Sequence, residues 1–332
     1  MQFGQLKRRE FITLLGAAAT WPVAARAQQS NRMPSIGVLL AEADDRGMQE
    51  RLAGLRQGLD RLGWSDGRNI RMVYRFCEGK PDRFRPLAKE LVAMQPNLIV
   101  AQSPLVVTAV RQETSVIPIV FVDVSDPIGP GFVDSLARPG GNVTGLLTFE
   151  AGIVGKWLAM VKEITPGLTR VALVGNPKTT AFGYFLRAAM DAASSLGVEI
   201  MPQQVETASD IERVVETVGH ISDSGLVFPP DTTTVLHRDL VIALAARHRL
   251  PAVYPFRFFV TAGGLMSYST DFVFVYRQAA SYIDRILRGA KPANLPVQAP
   301  TKFETALNLK TAKVLGFTVP SGLLVAADEV IE

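Results

Sequence analysis

The chain has 332 residues, 48% of them hydrophobic and 20% charged, which suits a globular protein with one large or two ordinary cores and excludes wholesale disorder. The formal charge is +4, but Lys7, Arg8, Arg9 and Arg26 against Glu10 place +3 of it in the first 27 residues. The remainder is nearly neutral and offers no nucleic-acid surface.

The first 27 residues read as an export leader: a basic start at Lys7-Arg8-Arg9, an apolar section from Phe11 to Val23, and Ala25-Arg26-Ala27 before a cleavage point near Gln28. Arg8-Arg9-Glu10-Phe11-Ile12 resembles a twin-arginine leader, with Lys7 where Ser or Thr is commoner. The leader predicts an exported protein, soluble in the periplasm after signal removal. Cys77 is the single cysteine and forms no internal disulfide, so it reads as structural.

Residues 34–40 predict the first strand of the mature chain. Leu52, Leu55, Leu59 and Leu62 at helical spacing predict a helix over 48–62 that stops at Gly63. Strands follow at 70–76, 97–101 and 117–122, with helices running from Asp82 through Val92 and from Ser103-Pro104 through Arg111. Strands separated by helices make a mostly parallel sheet covered on both faces. A helix over 149–164 opens a second series, with strands at 169–175, 198–201, 225–228 and 251–254 and helices at 181–196, 211–221 and 235–247. Two open-sheet units are more economical than one very wide sheet. The late helix over 272–287 rejoins the first body, which is therefore discontinuous; a strand at 303–307 and a helix at 310–315 follow.

The expected division is a first lobe of 33–145 plus about 268–292 and a second of 146–267 plus about 293–332. Crossings fall near 138–148, 262–269 and 288–300, with Gly140, Gly141, Gly145, Gly263 and Gly264 as hinge glycines.

Catalytic chemistry finds little support. His220, His237 and His248 fit no metal-ligand spacing, no Gly-x-Ser-x-Gly elbow is present, and the glycine pairs fall outside phosphate-loop patterns. No catalytic residue, metal or cofactor is expected. A cleft that closes on a solute needs less chemistry. Ser103, Asp126, Asn176, Asp231 and Tyr254 stand at the carboxyl ends of predicted strands, where open α/β sheets bind ligands, and Tyr268 and Asp271 join them at the return crossing. Ser103 reads equally well as a helix cap and Asn176 as a turn residue. Asp126 and Asp231 require a cationic ligand group or several hydrogen bonds if they are buried.

Six segments carry a family resemblance: Leu59-x-x-Leu-Gly-Trp64 through Asn69-Ile70, Ile117-Pro-Ile-Val-Phe121 through Asp126-Pro127, Ser135 through Gly145, Asn176-Pro177, Ala262 through Tyr268, and Pro300 through Phe303 with Asn308 through Thr311. The chain is similar to the ABC-transporter substrate-binding proteins related to tryptophan- and tyrosine-binding lipoproteins. That resemblance implies a two-lobed α/β fold of the type 1 periplasmic binding protein kind, each lobe a mostly parallel sheet flanked by helices, with a cleft between them. It further implies capture of a small polar solute such as an amino acid and delivery to a membrane permease with a separate ATPase, the permease being the only membrane contact. No cysteine follows the expected cleavage point, so a lipid anchor there has no chemical handle, and the loop Glu42-Ala43-Asp44-Asp45-Arg46 is unusually charged. An envelope sensor on the same scaffold, and less favourably an enzyme, remain the other readings.

Overall fold

The computed structural model describes residues 33–332; the export leader expected over residues 1–27 lies outside them. The first lobe alternates β1 (Ser35–Leu40), α1 (Arg46–Arg61), β2 (Arg71–Phe76), α2 (Pro81–Ala93), β3 (Leu98–Gln102), α3 (Pro104–Glu113), β4 (Ile119–Val124) and β5 (Val143–Leu147). Its sheet is five-stranded and parallel, in the order β2-β1-β3-β4-β5. The second lobe contains α4 (Ile153–Ile164), β6 (Arg170–Gly175), α5 (Phe182–Leu196), β7 (Glu199–Gln204), α6 (Ala208–Gly219), β8 (Ser224–Val227), α7 (Thr232–Leu236), α8 (Arg238–Arg247), β9 (Ala252–Tyr254), α9 (Arg257–Thr261) and β10 (Met266–Thr270). After α10 (Phe272–Leu287) it continues with β11 (Phe303–Asn308), α11 (Leu309–Leu315), α12 (Ser321–Ala326) and β12 (Glu329–Ile331). This sheet has seven strands in the order β12-β11-β10-β9-β8-β6-β7, with only β10 and β11 antiparallel.

Both sheets are covered on both faces, which is why their central strands are continuous apolar runs rather than alternating ones. Each fully buried Leu, Ile or Val contributes about 1.5–3 kcal/mol against exposure. In α1 the stripe Met48, Leu52, Leu55 and Leu59 is buried, and Asp45 caps the helix by accepting from Met48 N at 2.8 Å. Helix α10 returns to the first lobe and lies on α1. A side chain at Gly54 would come within 2.7 Å of the Val273 carbonyl oxygen, so glycine sets how closely the two helices approach.

The chain passes between the lobes at residues 148–152, at 270–272 and at 298–303. These passages are bonded to one another: Thr270 Oγ1 donates to the Thr148 carbonyl, Asp271 N to Lys302 O at 3.0 Å, and Leu147 N to Gln298 O at 2.8 Å. The expected crossings were displaced. Residues 143–147 form β5 inside the first sheet, and 266–270 form β10 inside the second. The returning first-lobe segment runs from 272 to about 298 instead of 268 to 292, since Thr144 Oγ1 holds Leu295 O at 2.6 Å and Val297 N donates to Leu136 O at 2.7 Å.

None of the expected hinge glycines lies at a passage. At Gly145 a Cβ would collide with the Phe121 carbonyl of the neighbouring strand, and at Gly264 it would lie 2.7 Å from the Tyr254 ring. Both glycines admit close packing within a lobe. Gly140 and Gly141 lie in the loop leading into β5, and Gly263, with φ of 110°, follows α9. Instead of one helix over 235–247, the structure has α7 and α8 meeting at His237, whose ψ of 26° breaks the helical path.

Candidate functional site

The loops at the carboxyl ends of β1, β3 and β4 bring together a partly buried charged network in the first lobe. Arg51 Nη1, from α1, lies 3.3 Å from Glu42 Oε2 and 3.6 Å from Asp123 Oδ2. Gln102 Nε2 donates to Glu42 at 2.8 Å and to Asp123 at 3.0 Å, and its Oε1 accepts from Ala41 N at 2.9 Å. Tyr276 from α10 donates to Asp123 at 3.1 Å, and Thr148 at the first passage donates to the other Asp123 oxygen at 3.2 Å. Burial pushes the Asp123 carboxyl above its ordinary range, with Arg51 opposing the shift. Burial, followed by the Asp123 charge, holds the Tyr276 phenol well above its usual value. Burial works against the charge on Arg51, but Glu42 and Asp123 outweigh it and its pKa is raised. Asp123 adopts φ of 57°, a conformation uncommon for a non-glycine residue, which aims its carboxylate into this network.

Aromatic rings join the passages to the second lobe. Phe149, Phe256 and Phe272 form a triangle with centroid separations of 5.8, 5.9 and 5.6 Å, and the Arg51 guanidinium lies 4.6 Å from the Phe272 centroid. Beside them opens a cavity of about 660 Å³. Glu50 and Arg51 come to it from the first lobe, Asp271 and Phe272 from the second passage, and Phe256, Arg257, Phe258, Ser269, Glu304 and Glu329 from the second lobe. Its size is within the range of small-molecule sites, about 300–1,000 Å³.

Of the residues expected at the site, Asp271 alone lines this cavity. It caps α10 by accepting from Phe274 N at 2.9 Å and pairs with Lys302 at 2.8 Å. Asn176 and Asp231 meet each other in the second lobe: Asn176 N donates to Asp231 at 3.1 Å, Asn176 Nδ2 to Thr233 at 2.8 Å, and Asp231 also accepts from Thr179, Thr233 N and Thr234 N. Burial raises the Asp231 pKa despite these hydrogen bonds. Ser103, with φ of 85°, caps α3 at 3.4 Å from Val106 N. Asp126 is half-buried and accepts from Ile128 N and Gly129 N, closing its own loop. Tyr268 stacks on Phe303 at 5.3 Å, and its carbonyl accepts from Trp157 Nε1 at 2.7 Å. Tyr254 is a correction: only 1% exposed and stacked between Phe228 and Phe259 at 5.4 and 5.0 Å, its ring belongs to the core, because the strand places it among apolar neighbours.

Arg51, Gln102, Phe256, Phe272, Tyr276 and Glu304 escaped the sequence reading. Arg51 left a usable signal. It lies three residues after Met48 and four before Leu55, on the flank of the buried stripe of α1, where a charge demands partners.

Comparison with known proteins agrees with this architecture. A curated "Tyrosine-binding protein" of Clostridioides difficile (strain R20291) is 26% identical over 263 residues, covering 79% of this chain and 75% of the relative. The crystal structure of a domain in complex with L-Trp from Streptococcus pneumoniae superimposes with a TM-score of 0.82 at 24% identity, covering 90% of this chain and 100% of the other. A conserved domain protein from Vibrio cholerae gives 0.81 at 24% identity, with the same coverage. These likenesses establish the two-lobed fold expected of type 1 periplasmic binding proteins. The family described as "ABC transporter substrate binding protein" matches residues 35–331. The chain belongs to the ABC-transporter substrate-binding protein family, as an extracytoplasmic solute-binding protein and not an enzyme.

Proposed function

We propose that the protein captures an amino acid or a closely related small amino compound between its lobes and presents it to a membrane permease driven by a separate ATPase. The observation that carries this reading is the cavity itself, which takes polar and aromatic side chains from both lobes and from the second passage, so that a solute there touches every part that moves on closure. The amino-acid class is supported by the tyrosine-binding relative and the relative solved with L-Trp. In this reading Asp271 lies at the solute. Ser103, Asp126, Asn176, Asp231 and Tyr268 occupy or support the rim that approaches it on closure, and the three bonded passages at 148–152, 270–272 and 298–303 act as the hinge.

The test is mass spectrometry of solute released from gently purified envelope protein, followed by calorimetry with the identified compound. An amino compound that binds and shortens the interlobe distance by paired probes is the expected result. Absence of binding by every amino acid and amine tried would overturn the proposal. Crosslinking to a membrane permease, compared with crosslinking to a sensor kinase, tests the delivery step.

A further inference from the structure

The charges around the interlobe cavity specify more than an amino group, given the proposed capture of such a solute there. Arg51 and Arg257 are the guanidiniums on its wall, and both are engaged: Arg51 with Glu42 and Asp123 at 3.3 and 3.6 Å, and Arg257 with Glu329 through Nε and Nη2, the latter at 2.8 Å. Lys302, outside the lining, reaches Asp271 at 2.8 Å, and the wall residue Glu50 has Arg46 at 3.0 Å. Two wall carboxylates remain. Asp328 accepts from Thr305 N at 2.8 Å but has no ion-pair partner among the described residues, and half-buried Glu304 has neither an ion pair nor a side-chain hydrogen bond among them. Burial, then the charge of Asp271, pushes the Glu304 carboxyl above its ordinary range, with the Lys302 and Arg257 charges opposing the shift without pairing with it. The Arg51 network, with two carboxylates against one guanidinium, adds a further negative charge rather than a spare positive one.

The apolar part of the wall points the same way. Phe256 lies 5.0 Å from Phe258 and 5.6 Å from Phe272 by ring centroid. Two of these rings already carry guanidinium groups, Arg51 at 4.6 Å from Phe272 and Arg238 at 5.9 Å from Phe258. Such a surface suits a methylene stem ending in a cation, with carboxylates to receive the end. A second carboxylate arriving on the solute would find both wall guanidiniums, Arg51 and Arg257, already paired.

We propose that the solute is cationic, a basic amino acid or an aliphatic diamine, whose distal ammonium or guanidinium group is received by Glu304 and Asp328 beside Phe256. Neutral aromatic and acidic amino acids are excluded by the same charges.

Calorimetry of the leaderless chain with L-lysine, L-arginine and cadaverine, against L-tyrosine, L-tryptophan and L-glutamate, tests this directly. At least one cation should bind about tenfold or more tightly than any neutral or acidic compound, and added salt should weaken it. Lysine against cadaverine separates an amino acid from a bare amine. Glu304→Gln, checked for a single cooperative thermal unfolding transition, should weaken cation binding by about tenfold. Binding of tyrosine or tryptophan without any cation would overturn the charge assignment and leave amino-acid capture standing; binding of nothing in the panel would overturn the charge assignment, and only failure of the wider set of amino acids and amines would overturn capture as well. Unchanged cation affinity in folded Glu304→Gln would also overturn the assignment.

Discussion

Arg51 Nη1 lies 3.6 Å from Asp123 Oδ2, while the same guanidinium covers the Phe272 ring that follows the second passage. The pair therefore joins the strand ends of the first lobe to the segment on which the lobes turn. Removing Arg51 leaves the buried Asp123 carboxylate without a cation, and Arg51→Met should cost about 3–5 kcal/mol in urea unfolding. Adding Asp123→Asn to it should restore part of that loss. A double variant as damaged as the sum of the two single ones would show that they do not act together.

Trp157 is wholly buried in the second lobe and donates to the Tyr268 carbonyl in β10, two residues before the passage. Trp157→Ala removes a large apolar volume and leaves that carbonyl without its indole donor. The expected loss is about 3–5 kcal/mol by chemical unfolding, with Trp157→Phe costing less because most of the volume is retained.

Gly145 and Gly141 separate packing from hinge action. Gly145→Ala would drive a methyl into the Phe121 backbone and ring, and should cost about 1–3 kcal/mol. A methyl at Gly141 would meet no atom within 4 Å, and the residue lies outside the left-handed region, so Gly141→Ala should stay within about 0.5 kcal/mol of the parent. Neither substitution should alter the interlobe distance change on solute binding, measured by paired probes.

The raised pKa of Glu304 makes stability depend on pH in a definite direction. Its folded value lies above the ordinary glutamate value near 4.5, so the folded state holds the proton more tightly than the unfolded chain. The contribution is favourable relative to the charged state at acid pH and is lost as pH rises through the folded value. Glu304→Gln lacks this dependence. The stability of the parent relative to the variant should therefore fall as pH rises from the ordinary glutamate value through the raised folded one, measured by chemical unfolding in the absence of solute.

Much of the element order was legible because it is written in local spacing. Met48, Leu52, Leu55 and Leu59 mark α1, and the apolar run at 119–122 marks β4, whatever their partners. The two-lobed α/β class follows from that order, and the family motifs agree with it. The sequence misled at Val143–Leu147 and Met266–Thr270, where adjacent glycines imitate a flexible crossing. Glycine that bends and glycine that makes room are indistinguishable until the neighbouring strand or ring is in place, as Phe121 is at Gly145 and Tyr254 at Gly264.

The site divides along the same line. Asp271 was legible as a strand-end acid, and Asp231 as a charge in need of partners, because both properties depend on the nearby chain. The meeting of Arg51 with Asp123 and Tyr276, and of Phe256 with Phe272, joins residues far apart in sequence through the packing of α10 on α1 and the approach of the lobes. The sequence by itself determined the architecture and the presence of polar groups at strand ends. Only the tertiary structure decided which charges are paired and which are not, because pairing depends on distances of a few ångströms that local periodicity does not encode.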